Sequence, residues 1–140
     1  MDKDTNLLFV YGTLLASDGG RMGRSQRVRL ARESRSVGAG WTEGLLYNLG
    51  RYPGLVLPTG PGVVVHGEVL ELAIAAGTLR WLDVYERIVP GQHPHNDYER
   101  VLRTVGLEAG GDVTAWVYVY RGSLAKAHLI EGGRWASAAT

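Results

Sequence analysis

The stretch VVVHGEVLELAIAAGTLRWLDVYER, residues 63–87, changes its repeat halfway. From Val63 to Leu72 successive residues alternate, with Val65, Gly67, Val69 and Glu71 on one side and Val64, His66, Glu68 and Leu70 on the other. That period of two belongs to a strand. From Ala73 to Arg87 the spacing becomes three and four, placing Ile74, Thr78, Leu79, Leu82 and Glu86 near one stripe. That spacing predicts a helix ending around Arg87.

Working outward, the other segments read mostly as strands. Tyr98–Leu107 and Val113–Tyr120 flank the hairpin turn EAGGD, and Leu7–Val10 is a short apolar run suited to a central strand. Val37–Asn48 is rich in strand formers with bends at its glycines, Leu49–Pro53 is a loop, Gly54–Leu57 is a short strand, and PTGPG at 58–62 is a turn. Arg24–Arg35 carries one or two helical turns with Val28, Leu30 and Ala31 inward, and Leu124–Ile130 reads as a terminal helical turn. Helices are too sparse for a doubly wound sheet, and scattered glycines favour curvature. The expected class is α+β: a small mixed, mostly antiparallel barrel or half-barrel with one principal helix, a single domain over residues 1–140 with its core at about 7–120.

Composition removes several function classes. The 140 residues carry a net charge of +1, so no global field draws the chain to nucleic acid or an acidic membrane. The basic concentration at Arg21–Arg35 has no interleaved aromatics and reads as a solvated face. The absence of cysteine excludes disulfides, thiolate nucleophiles and cysteine-ligated zinc. No apolar stretch approaches the roughly 18 residues of a membrane span, and the run after Asp2, Lys3 and Asp4 is too short for a signal peptide. The expectation is a soluble, cytoplasmic protein with neither nucleic-acid nor membrane partner. His93 and His95 flank Pro94 without an acidic pattern to complete a metal site. Serine-elbow, phosphate-loop and dinucleotide motifs are missing, so no cofactor is expected.

Two features stand out. Asp83 and Glu86 are three apart on the predicted helix, and Glu86 shares the stripe of Leu79 and Leu82. A carboxylate there must be paired, with Arg87 or Arg100 as candidates, or protonated, or employed. The first strand ends in Tyr11-Gly12-Thr13-Leu14. This is either a plain turn with Tyr11 in the core or a place where bare backbone meets a small ligand.

FVYGTLL, GLLYNLGRYPGLV, VHGEVLEL, LDVYE and YERVLRTV followed by AWVYVY occur in order over about Leu7–Tyr120. Together they resemble the γ-glutamylcyclotransferase-like family, which includes the γ-glutamylamine cyclotransferases. The resemblance implies a small mixed barrel with flanking helices. It implies a substrate cradle at Tyr11, Gly12, Thr13 and Leu14, and Glu86 as the catalytic glutamate. The chain departs from the family after Glu86, where Arg87-Ile88-Val89-Pro90 and a histidine-containing loop stand in place of glycine.

The implied reaction needs no protein nucleophile. The α-amine of a γ-glutamyl substrate attacks its own γ-carbonyl, releasing 5-oxoproline and an amine, with Glu86 as general base and then acid. Tyr118 and Tyr120 share a strand face with Trp116 and are candidates to touch substrate or orient Glu86, and Tyr52 is a candidate for the pocket mouth. Core packing is the alternative for each. Arg51 reads as a possible carboxylate holder or a surface residue, and Arg100 as structural. The rival functions are a non-catalytic binding or stress-associated module and an amide hydrolase in which water attacks.

Overall fold

Strand and helix follow the two periods. The computed structural model describes residues 5–12, 24–50, 52–58, 60, 63–86 and 98–135. Its elements are β1 (Leu7–Val10), α1 (Arg24–Glu33), β2 (Ser34–Glu43), β3 (Leu45–Asn48), β4 (Pro53–Val56), β5 (Val64–Leu72), α2 (Ala75–Tyr85), β6 (Tyr98–Leu107), β7 (Asp112–Tyr120) and β8 (His128–Leu129). The strands form one sheet in the order β1-β5-β2-β6-β7-β4-β3-β8, and β7 returns to pair with β1. That return closes a five-stranded barrel, with β4, β3 and β8 as an extension. The fold is α+β. Pairing is antiparallel except at the seam, where β7 runs parallel to β1 through Leu8↔Trp116 and to β4 through Leu55↔Val119.

Alternation divides the apolar residues into two cores. Phe9, Tyr11, Val65, Val69, Val105, Ala115, Val117 and Val119 form one buried cluster with Leu46 and Leu55. Their strand neighbours Leu8, Val10, Leu70, Leu72 and Tyr118 form the other with Leu30, Leu79, Leu82 and Tyr98, binding both helices to the barrel. Gly67 lies where β5 crosses closest to β1: a Cβ there would sit 2.1 Å from the Val10 carbonyl oxygen. The crossing therefore excludes any side chain.

Three segments differ from expectation. The run predicted over 37–48 is two strands, β2 paired with β5 and β3 with β4. Helix α1 is ten residues rather than a turn or two, although Leu30 is its only fully buried residue. Its support is tertiary, through Glu33. The predicted terminal helical turn instead ends in β8, because the edge of β3 captures it through Tyr47↔Leu129 and a bond from Ile130 N to the Leu46 carbonyl.

Glu33 joins the helices. Its Oε1 accepts from Thr78 Oγ1 at 2.5 Å and Trp81 Nε1 at 2.9 Å, and its Oε2 accepts from Arg29 Nε at 2.9 Å. The Arg29 guanidinium also lies 4.5 Å from the Trp81 ring centroid. These donors, Thr78 first, then Trp81 and Arg29, hold the Glu33 carboxyl down to about 2. A depressed folded value stabilises above the usual carboxylate range and loses that contribution as pH falls. Glu33→Gln should therefore melt a few degrees below wild type at pH 7, and the gap should close as both are acidified from about 4.5 towards 2. Paired thermal melts across that range check it.

Candidate active site

Helix α2 ends where its apolar stripe meets the barrel rim. Leu79 and Leu82 are buried in the helix-side core, and the Glu86 N–H donates to the Leu82 carbonyl at 2.8 Å, so Glu86 caps the last turn. The Glu86 side chain is half-buried. Tyr11 just past β1, Tyr98 on β6 and Tyr118 on β7 lie near enough for its charge to oppose their ionisation, although burial is the larger cause for each.

Burial first, and the Asp83 charge second, raise the Glu86 carboxyl to about 8. A helix C-terminus, with its partial negative charge, is also an unfavourable place for a carboxylate. The side chain is therefore poised to gain and lose a proton near neutral pH.

The tyrosine hydroxyls are committed to the fold. Tyr11 OH donates to the Tyr118 carbonyl at 2.6 Å and accepts from Leu55 N at 3.1 Å, a structural fastening within the core. Tyr98 OH donates to the Pro53 carbonyl at 2.9 Å. Tyr118 OH donates to Asp83 Oδ1 at 2.6 Å, and Tyr120 OH to the Ser123 carbonyl at 2.9 Å. Tyr120 and the partly exposed Tyr52 lie one layer out, with ring centroids 5.4 Å and 6.4 Å from that of Tyr98.

Arg100, offered by the sequence as a partner for Glu86, instead forks onto Asp83 through Nε at 2.8 Å and Nη2 at 3.1 Å. Gly12 has a packing reason: a Cβ there would lie 2.6 Å from Pro53 Cγ. The space is taken by Pro53 on β4. Thr13 and Leu14 of the expected cradle, Arg51, Arg87, and the His93–His95 loop lie outside the described residues.

Tyr98 was not singled out by sequence reasoning, nor was the bond of Tyr118 to Asp83. The signal was present in the shared face of Tyr98 and Arg100, which β6–β7 register sets opposite Tyr120 and Tyr118. Among the described residues no three acidic, histidine or cysteine side chains gather as cation ligands, and no helix is long and apolar enough to cross a membrane.

The chain belongs to the gamma-glutamyl cyclotransferase, AIG2-like family, which matches residues 8–137. It is 35% identical over 132 residues to a Vibrio cholerae protein named "Putative gamma-glutamylcyclotransferase", covering 93% of this chain and 95% of that one. A mouse AIG2-like protein of known crystal structure superposes with a TM-score of 0.69 at 25% identity, covering 93% of this chain and 87% of the mouse chain. The solution structure of ytfP from Escherichia coli gives 0.56 at 30% identity, covering 92% and 95%.

The raised Glu86 value has a stability sign. An acid held at about 8 in the fold and at its ordinary 4.5 when unfolded costs nothing at low pH. The cost grows as pH rises between those values. Glu86→Gln should therefore match wild type near pH 4.5 and exceed its stability by about 1–3 kcal/mol above pH 8, the partial exposure of the carboxyl limiting the gain. Chemical denaturation at the two pH values measures this.

Proposed function

We propose that the protein is a γ-glutamylcyclotransferase that converts a γ-glutamyl amide or γ-glutamyl-amine into 5-oxoproline and a free amine. The observation that carries this reading is the half-buried Glu86 carboxyl, raised to about 8 and near enough to Tyr11, Tyr98 and Tyr118 for its charge to oppose their ionisation. Membership of the family supports it.

In this mechanism Glu86, as carboxylate, takes a proton from the substrate's α-ammonium. The freed nitrogen attacks the γ-carbonyl carbon, and the carbon–nitrogen bond to the leaving group breaks as Glu86 returns the proton to it. The α-nitrogen loses two protons overall, both end on the departing amine as its ammonium, and Glu86 finishes unchanged. Backbone groups from Gly12 to Leu14 hold the substrate carboxylate and the developing oxyanion. Tyr52, Tyr118 and Tyr120, with the ring of Tyr11, wall the pocket. Much of the acceleration comes from keeping the glutamyl chain folded back, since orientation is worth up to about 7–11 kcal/mol.

The bound α-ammonium places a cation beside Glu86. The proton therefore leaves Glu86 more readily in the complex than in the free enzyme, and the acid limb of kcat lies below that of kcat/KM. With a panel of γ-glutamyl amides, 5-oxoproline should form, kcat/KM should fall as pH drops below about 8, and Glu86→Gln should lose at least a hundredfold in rate. Free glutamate as the product would instead mark a hydrolase. An unchanged rate in Glu86→Gln would remove Glu86 from the mechanism.

A further inference from the structure

We propose that Arg100 is a positioning residue for Glu86: acting through Asp83, it fixes the last turn of α2 against β6 and β7 and neutralises the carboxylate one turn from Glu86. This rests on the proposed role of Glu86. The argument starts from register. Arg100 and Tyr118 are direct partners across β6 and β7, and both side chains reach the same carboxylate on α2. Asp83 Oδ1 receives Arg100 Nε and the Tyr118 hydroxyl, and Oδ2 receives Arg100 Nη2 at 3.1 Å. Trp116, two residues along β7, lies 4.3 Å under the guanidinium and limits its movement.

The Asp83 and Arg100 side chains are each only 23% exposed, so the pair has given up much of its hydration. A buried ion pair is a weak way to add stability, because apolar side chains of similar size often do as well. What it adds here is direction. A planar fork fixes where a carboxylate points, and Asp83 and Glu86 lie on one face of the helix, three residues apart. Holding one therefore orients the turn that presents the other. The titratable or charged groups near Glu86 from the packed elements are Tyr11 just past β1, Tyr98 on β6, Tyr118 on β7 and Asp83 on α2, with Arg100 reaching it through Asp83.

This arrangement makes a prediction with opposite signs. Without Arg100 the Asp83 charge stands uncompensated and Glu86 becomes harder to ionise. Without the Asp83 charge it becomes easier. Carboxyl carbon NMR titration of Glu86 should show the midpoint rising by roughly one pH unit in Arg100→Met and falling by a similar amount in Asp83→Asn. The acid limb of the rate profile for 5-oxoproline release should move with it.

Arg100→Lys keeps the charge and loses the fork. Its midpoint should stay near wild type while kcat drops about tenfold and KM barely changes. Shifts of the same direction in Arg100→Met and Asp83→Asn, or a full kcat in Arg100→Lys, would overturn the proposal. If Arg100→Met does not fold, as judged by its amide spectrum, Asp83→Asn and Arg100→Lys still decide the matter. The titration is independent of turnover: opposite shifts alongside an unimpaired Glu86→Gln would retire the catalytic role of Glu86 and still support the positioning.

Discussion

The Tyr11 hydroxyl sits where three strands diverge. Strand β7 pairs with β1 at Trp116 and with β4 at Val119, both in parallel. Between those rungs a backbone carbonyl and an amide would be left without ladder partners inside a dry core. Tyr11 supplies both: its hydroxyl donates to the Tyr118 carbonyl and accepts from Leu55 N. A buried polar group without a partner costs roughly 1–3 kcal/mol. One side chain thus spares two such losses and sets the spacing at which β1, β4 and β7 separate.

The same meeting of strands is stiffened from outside. Tyr98 ties β6 to the Pro53 carbonyl at the start of β4, Pro53 fills the place of a side chain at Gly12, and Asp83 draws α2 onto β6 and β7. The aromatic residues around Glu86 therefore serve as framework through their hydroxyls. An acid held near its ionisation point needs such a frame, because water or a mobile neighbour would return it to the ordinary carboxylate range.

The sequence was informative where a single period governs a segment. The change of period between Leu72 and Ala73 locates the join of β5 and α2, and Tyr98–Leu107 is the observed span of β6. Glu86 stood out because a carboxylate on an apolar stripe is anomalous under any reading. Less legible were features set by distant pairing. Helix α1 depends on Glu33 reaching Thr78 and Trp81, and β8 exists because β3 offers an open edge. The partner of Arg100 was equally hidden. Both carboxylates on α2 were candidates, and only the register of β6 against β7 selects Asp83. Gly12 was read either as part of a plain turn or as backbone bared for a ligand, and its neighbour Pro53, forty-one positions later in the chain, was not legible.

The seam also bears on how the chain reaches its final form. Thr5 bonds to the Thr114 carbonyl, and Leu8 is aligned with Trp116, contacts spanning more than a hundred residues. Such distant pairings carry a large entropic cost of loop closure and tend to form slowly. During synthesis, the outer edge of β1 has no mate until β7 has left the ribosome. Over that interval it offers unpaired amides and carbonyls to any neighbouring strand. Among the barrel strands, β1 is thus both the earliest in the chain and the last to be sealed.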